Sequence, residues 1–111
     1  MIKNDSSLKK LLSELEKYYS ERLEKVILYG SYARNEENSE SDVDIFVLVS
    51  DHDRKITRKK MNELTFELLI SEGKLFSIIV NEMSFFNEWQ DSMDLFTEIK
   101  KDGKVLYARA G

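Results

Sequence analysis

Two short apolar runs, each joined directly to a polar motif, constrain the fold of this chain more than any other feature. The first run, residues 26–29, ends in Gly30 and Ser31, and the second, residues 45–49, directly follows an Asp-Val-Asp triplet at residues 42–44. Short apolar runs that contain β-branched residues and stop at a turn signal favour buried strands over helices. The sequence therefore predicts two strands, each with polar groups at one end.

The polar groups at the ends of these strands suggest a common chemistry. Side chains alternate between the two faces of a strand, so Asp42 and Asp44 are expected on the same side. Two carboxylates held close together suit a hard divalent cation such as Mg²⁺. A turn with Gly30 and Ser31 offers backbone N–H groups and a hydroxyl to phosphate oxygens. A metal ion together with a triphosphate is the equipment for phosphoryl or nucleotidyl transfer.

The remaining sequence predicts alternating helices and strands. Residues 5–7 are suitable helix N-caps, Gly73 is a suitable helix end, and residues 45–49 are apolar on both faces, which places that strand in the middle of a sheet. The other predicted elements are a first helix ending near residue 22, a short helix at 32–36, a polar loop at 37–41, a helix at 54–72, a strand at 75–80, helices at 84–89 and from 91 or 92 to 101, and a short apolar segment at 105–107.

This order of elements predicts the α/β (α+β) fold class. We expect a small mixed β-sheet flanked by helices that back it on one side, with the Gly-Ser turn and the Asp pair meeting at an open edge or face. With 111 residues, the chain has the length of a single domain, which we assign to residues 1–111. A domain this small is expected to need a partner or a second copy to hold a large substrate.

Composition limits the classes of partner. The chain has 17 Lys and Arg against 21 Asp and Glu, a net charge of −4, and its basic residues are scattered apart from residues 54–55 and 58–60. Binding to a nucleic-acid backbone needs a concentrated positive face, so nucleic acid is not expected as a direct partner, whereas a bound nucleotide is compatible. Cysteine is absent, and no segment reads as a signal peptide or membrane span, so we expect a cytoplasmic protein.

The spacing of the two motifs resembles a known family. Gly-Ser, ten residues and Asp-x-Asp fall at Gly30, Ser31, Asp42 and Asp44. This pattern resembles the nucleotidyltransferase superfamily related to polymerase beta, and within it the minimal single-domain nucleotidyltransferases that act as antitoxins beside HEPN partners. The direct resemblance covers residues 25–49. Two such motifs at this interval, each joined to an apolar strand, are hard to obtain by chance, whereas either alone carries little information.

The extended form of the motif also fits, with one departure. Residues 32–34, Tyr-Ala-Arg, and Ser41 match it, but the position after Arg34, commonly glycine in the family, is Asn35. The resemblance implies that Gly30, Ser31, Arg34 and Ser41 bind the nucleotide. For Arg34, a salt bridge with an acid such as Glu37 is an equally weighted alternative.

The resemblance implies a reaction as well. Asp42 and Asp44 would be catalytic and would hold Mg²⁺, while Ser31 would position the phosphates of ATP or another NTP. The chain would transfer NMP, with AMP expected, to a hydroxyl, with a tyrosine of a HEPN toxin as the expected acceptor, and would thereby act as an antitoxin.

The family pattern lacks one part in this sequence. Polymerase-like members carry a third carboxylate on the strand beside the Asp-x-Asp strand, but residues 75–80 contain no acid and Ser77 takes the expected place. Glu67, Glu72 and Glu82 remain candidates, each with the alternative reading of a surface charge. The alternative function is therefore an antitoxin with weak or no catalysis that neutralises its partner by binding.

Two further groups of residues carry competing readings. His52, between two aspartates, is a solvated loop residue or a lone metal ligand, and the former is favoured. A second group has near-helical spacing typical of a core, but it is large enough that we expect some members to dock a partner chain. Its members are Phe85, Phe86, Trp89, Met93 and Phe96.

Overall fold

The computed structural model describes residues 5–36 and 42–110. Within these ranges no helix is both long and apolar enough to cross a membrane. The elements are α1 Ser6–Tyr19, followed by a 3₁₀ turn at Ser20–Arg22, β1 Leu23–Tyr29, β2 Val43–Val49, α2 Arg54–Glu72, β3 Phe76–Glu82, α3 Met83–Trp89, α4 Asp94–Asp102 and β4 Lys104–Ala108.

The four strands form one mixed sheet in the order β3-β2-β1-β4. β1 runs antiparallel to both β2 and β4, whereas β2 and β3 are parallel. The central position predicted for residues 45–49 is confirmed, because β2 lies between β1 and β3. This arrangement confirms the mixed sheet of the predicted fold class.

Helices cover both faces of the sheet, so the expectation of helices on one side is wrong. Val43, Ile45, Val47 and Val49 of β2 join a core cluster with residues of α1 and α2. Phe46 and Leu48 of the same strand project to the opposite face and pack with residues of α3 and α4. The reason is that both faces of β2 are apolar, and each apolar face is stabilised when helices cover it and remove it from water.

The second core cluster includes part of the aromatic group singled out in the sequence. Phe96 is almost fully buried, and its ring centroid lies 5.5 Å from that of Phe46 and 5.0 Å from that of Phe86. Phe85 and Trp89 instead keep about two fifths of their surface exposed, at 41 and 42 %. The group therefore divides between core and surface.

Local signals set the ends of the long helices. Asp5 and Asp53 accept hydrogen bonds from backbone N–H groups in the first turns of α1 and α2. Gly73 ends α2 as predicted, in the left-handed conformation with φ of 68°.

Phe66, which counts toward the apolar pattern of α2, is 65 % exposed. It follows the buried Leu64 by two residues, or roughly 200° of rotation, and so faces outward.

Residues 31–35 form consecutive turns, so the short helix predicted at residues 32–36 is wrong. Their hydrogen bonds mix three spacings: the Ala33 and Arg34 N–H groups both donate to Gly30 O, three and four residues back, and the Glu36 N–H donates to Ser31 O, five residues back. Asn35 has a φ of 59°, in the left-handed region that interrupts a right-handed helix. The segment therefore stays a compact turn directly after β1.

Candidate active site

The Gly-Ser turn meets the Asp-x-Asp motif because β1 and β2 are antiparallel neighbours. Tyr29 pairs with Asp44, so Gly30 leaves β1 directly beside the Asp44 carboxylate. A Cβ built on Gly30 would lie 2.3 Å from Asp44 Oδ2, and the φ of Gly30 is +75°. Only glycine tolerates both the contact and this backbone conformation. The turn therefore packs directly against Asp44, one of the two predicted metal-binding carboxylates.

The turn itself is anchored on one side and open on the other. Ala33 is buried against the α1 and α2 side of the sheet, whereas Ser31 is half-buried and Arg34 is exposed. Asn35 occupies the position at which the family commonly has glycine. Its positive φ explains the departure, since asparagine is one of the few other residues that adopt this conformation readily.

Negative charge accumulates around Asp44. Burial raises the pKa of the Asp44 carboxyl, and the carboxylates of Asp42 and Glu98 raise it further, while Arg34 opposes them. A raised pKa means that the folded chain does not fully compensate the ionised Asp44. The arrangement therefore favours a bound cation.

Glu98, on α4, is a site residue that the sequence reasoning missed. Its Oε2 lies 3.5 Å from Arg34 Nη1, and it is close enough to Asp44 to raise the pKa of that carboxyl. The signal in the sequence is weak: Glu98 follows the partly buried Leu95 by three residues, which puts both on one side of α4. Only the packing of α4 against the sheet brings Glu98 to the turn.

Arg34 forms the salt bridges that were the alternative to a phosphate contact, but with other partners. Its Nε lies 2.9 Å from Glu36 Oε1 and its Nη1 is 3.5 Å from Glu98. Hydrogen bonding to Glu36 and the charges of nearby carboxylates raise the pKa of Arg34. Glu37, the partner named from the sequence, and Ser41, a predicted nucleotide-binding residue, lie outside the described residues.

Tyr29 links the site to the second core cluster. Its ring packs edge-on against Phe46, with centroids 6.5 Å apart. Burial, followed by the charges of Asp44 and Glu98, raises the pKa of Tyr29 to about 12. The negative charge of the site therefore adds to the effect of burial and makes the Tyr29 phenol less acidic than an exposed tyrosine.

None of the three candidate acids reaches Asp44. In the parallel pair β2–β3, Ser77 is the residue opposite Asp44, as expected, whereas Glu82 is opposite Val49. Five residues of strand separate these two positions, roughly 16 Å. Glu67 instead pairs with Lys10 at 3.1 Å, and Glu72 accepts a hydrogen bond from Ser6 Oγ at 2.8 Å.

The donor set fits a hard divalent cation with incomplete protein ligation. Asp42 is exposed and Asp44 is half-buried at the start of β2, and both offer carboxylate oxygens. Across residues 5–36 and 42–110, no three His, Asp or Glu side chains converge closely enough to form a metal site. Mg²⁺ ordinarily retains several waters and needs only one or two carboxylates together with substrate phosphates.

Comparison with known proteins agrees with this geometry. The family model described as polymerase beta, nucleotidyltransferase, matches residues 9–110. The chain belongs to the polymerase beta nucleotidyltransferase family. As a member of this nucleotidyltransferase family, it shares the family's enzyme class, and its mixed sheet with flanking helices is the fold that its structural relatives have.

Three known proteins are similar to this chain, one in sequence and two in fold. The proposed protein adenylyltransferase MJ0604 of Methanocaldococcus jannaschii is 31% identical over 104 residues, which is 93% of this chain and 97% of the relative. A toxin–antitoxin structure with AMP-PNP has a TM-score of 0.63 at 23% identity, covering 96% of this chain and 74% of that one.

The third relative is a solved complex from Shewanella oneidensis of a tri-AMPylated HEPN toxin with an MNT antitoxin. It has a TM-score of 0.52 at 21% identity and covers 93% of this chain and 71% of that one. At these identities the two solved structures establish similarity of fold.

Proposed function

We propose that this chain, as a single domain, transfers AMP from ATP to a hydroxyl in a Mg²⁺-dependent reaction. The observation that carries the proposal is the contact between the Gly30 backbone and the Asp44 carboxylate. It puts a turn suited to phosphate and a pair suited to metal within one small space. Neither motif alone would support a transfer reaction, because the phosphates and the cation must be held together.

Each site residue has a distinct role in this proposal. Asp42 and Asp44 hold the cation, and Ser31 with the backbone amides of the turn orients the β- and γ-phosphates. Bound Mg²⁺ supplies charge stabilisation for the departing pyrophosphate. Arg34, which forms ion pairs with Glu36 and Glu98, is proposed to contact the phosphates. Ser41 is proposed to contribute to nucleotide binding as well.

We infer the acceptor from the relatives. The relative MJ0604 is a proposed protein adenylyltransferase, and one structural relative belongs to a complex with an AMPylated HEPN toxin. We therefore propose a tyrosine of a HEPN toxin as acceptor and an antitoxin role for this chain. The exposed Phe85 and Trp89 belong to α3, one of the two helices on the same sheet face as Asp44, and offer apolar surface for that partner.

A second candidate function is neutralisation of the toxin by binding, with little or no transfer. The observation that favours it is Ser77, which occupies the position opposite Asp44 where a third carboxylate would assist proton removal. Glu98 supplies a carboxylate near Asp44, but this carboxylate forms an ion pair with Arg34 and is less available to a metal ion or to an acceptor hydroxyl. The two functions therefore differ in whether the acceptor gains mass.

The deciding experiment is incubation of the purified chain with ATP, Mg²⁺ and its proposed HEPN partner, followed by intact mass measurement of both. Transfer predicts a gain of one or more AMP units on the HEPN protein, lost in Asp42→Asn. Asp51→Asn is the matched control, since Asp51 is an exposed acid beyond the opposite end of β2. A stable complex without a mass gain would replace the transferase with the binding antitoxin.

A further inference from the structure

A cavity lies on the sheet face opposite the proposed transfer site. It has a volume of about 530 Å³ and is bounded by the start of α2 and by the side chains of Ile78 and Val80 on β3. These two residues pack with the core cluster of α1 and α2, whereas Asp44 alternates with residues of that cluster and projects to the other face. We call this cavity the α2 groove. Nothing in the proposed transfer reaction uses it.

Positive charge lines the rim of the α2 groove. Arg54, Lys55 and Arg58 line it, and within the described ranges none of the three has an acid at ion-pair distance. Cations in the first turns of a helix are electrostatically unfavourable, and α2 has no acid there to offset them. Across residues 5–36 and 42–110, these cations therefore lack an acidic partner at a place where their charge lowers the stability of the helix.

The nearby acids are committed to other contacts. Asp53 accepts hydrogen bonds from the Lys55 and Ile56 N–H groups as the cap of α2. Asp51 lies 3.9 Å from Arg22. Because the Lys55 and Ile56 N–H groups are already bonded to Asp53, we expect an anion in the groove to be recognised mainly by side chains.

The inner wall of the groove is apolar apart from one hydrogen-bonded pair, His52 and Thr57. Met61, Ile78 and Val80 contribute apolar surface. His52 Nδ1 lies 2.7 Å from the hydroxyl of Thr57, which is only 7 % exposed and also contacts Tyr19 at 3.4 Å. This partly buried hydrogen bond holds the His52 ring at the groove wall, so His52 is a positioned residue and not a freely solvated one.

We propose that the α2 groove binds a phosphate-bearing small molecule of nucleotide size. Its phosphates would bond Arg54, Lys55 and Arg58, and its base would lie on the apolar wall. A nucleic-acid backbone fits less well, because the cations are confined to one cavity of a chain with net charge −4. An acidic peptide would make no use of the apolar wall. This proposal does not depend on the transfer reaction.

The test is titration of ADP, pyrophosphate and adenosine into isotope-labelled Asp42→Asn/Asp44→Asn protein in EDTA, followed by amide NMR. These substitutions remove the metal-binding pair on the other face. We expect ADP to perturb residues 52–58 and 78–80, pyrophosphate to perturb only the start of α2, and adenosine to bind more weakly than ADP. Adding Arg54→Gln/Arg58→Gln should weaken ADP binding about tenfold or more.

A charge-matched variant separates a specific site from general attraction. Lys59→Gln/Lys60→Gln removes the same charge from the same helix, and neither lysine lines the groove. We expect its ADP affinity to stay within about twofold of the parent, and Arg54→Gln/Arg58→Gln to melt no lower than the parent because it removes unfavourable helix charge.

Three outcomes would overturn the proposal. One is no saturable ADP binding up to about 5 mM. Another is an equal loss of affinity in both double variants. The third is tighter binding of an RNA oligonucleotide or a glutamate-rich peptide than of ADP at the same residues.

Discussion

Replacement of Gly30 by alanine tests the contact on which the transfer site depends. The new Cβ would lie 2.3 Å from Asp44 Oδ2, 3.1 Å from Asp44 Cγ and 3.3 Å from Asp44 Cβ. Because the nearest atom is the end of a rotatable side chain, the Asp44 carboxylate would turn away before the strands separate. The substitution should therefore displace a metal-binding group while the fold persists.

Gly73 provides a matched control for the backbone effect. Its φ of +68° is close to the +75° of Gly30, but a Cβ at Gly73 would meet nothing within 4 Å. Each alanine costs about 1–2 kcal/mol for the left-handed conformation. For a domain of this size we expect Gly73→Ala to lower the Tm by about 4–8 °C. Gly30→Ala should lower the Tm by at least the same amount.

The two variants should differ sharply in function. A misplacement of about 1 Å in a catalytic group costs about a hundredfold in rate, so Gly30→Ala should lose at least that factor in AMP transfer while Gly73→Ala stays close to wild type below its Tm. Mg²⁺ should raise the Tm of wild type and Gly73→Ala but not of Gly30→Ala. Wild-type transfer by Gly30→Ala, or an equal loss in Gly73→Ala, would refute the argument.

Three further predictions concern the same end of the sheet. Asn35→Ala should lower the free energy of unfolding by about 1 kcal/mol because of the positive φ, whereas Asn35→Gly should not, and equal chemical-denaturation curves for the two would contradict this. Asp44→Asn should abolish transfer yet raise the Tm at pH 7. The pKa of Asp44 is raised in the folded chain, which means that folding disfavours the ionised carboxylate. The wild type therefore loses stability as the pH rises through that pKa. The difference in Tm should vanish below pH 3.8, where Asp44 is protonated in both states, and a lower Tm at pH 7 would oppose this reasoning. Ultraviolet titration should give Tyr29 a pKa of about 12. This pKa should fall in Asp44→Asn and fall less in Glu98→Gln, because the charge of Asp44 raises it more than the charge of Glu98 does. A larger fall in Glu98→Gln would count against the placement of Glu98.

The amino-acid sequence by itself determines most of the elements and the chemistry of their ends. Asp5, Asp53 and Gly73 are local signals that act within one turn, and they mark helix ends where the structure has them. The apolar character of residues 45–49 on both faces predicts a central strand, as found. The Gly-Ser and Asp-x-Asp spacing indicates the family because each motif is joined to its own strand. These features are readable because their causes lie between near neighbours in the chain.

Tertiary structure alone decides how those elements combine. No local pattern states that α4 packs on the face opposite α1, so the approach of Glu98 to Arg34 is invisible in the sequence. The distance of Glu82 from Asp44 follows from the register of two strands separated by a whole helix. A turn at residues 31–35 replaces the helix predicted at residues 32–36 because Asn35 takes a left-handed conformation where the chain leaves β1. Contacts of this kind depend on packing between distant segments, which only the folded chain brings together.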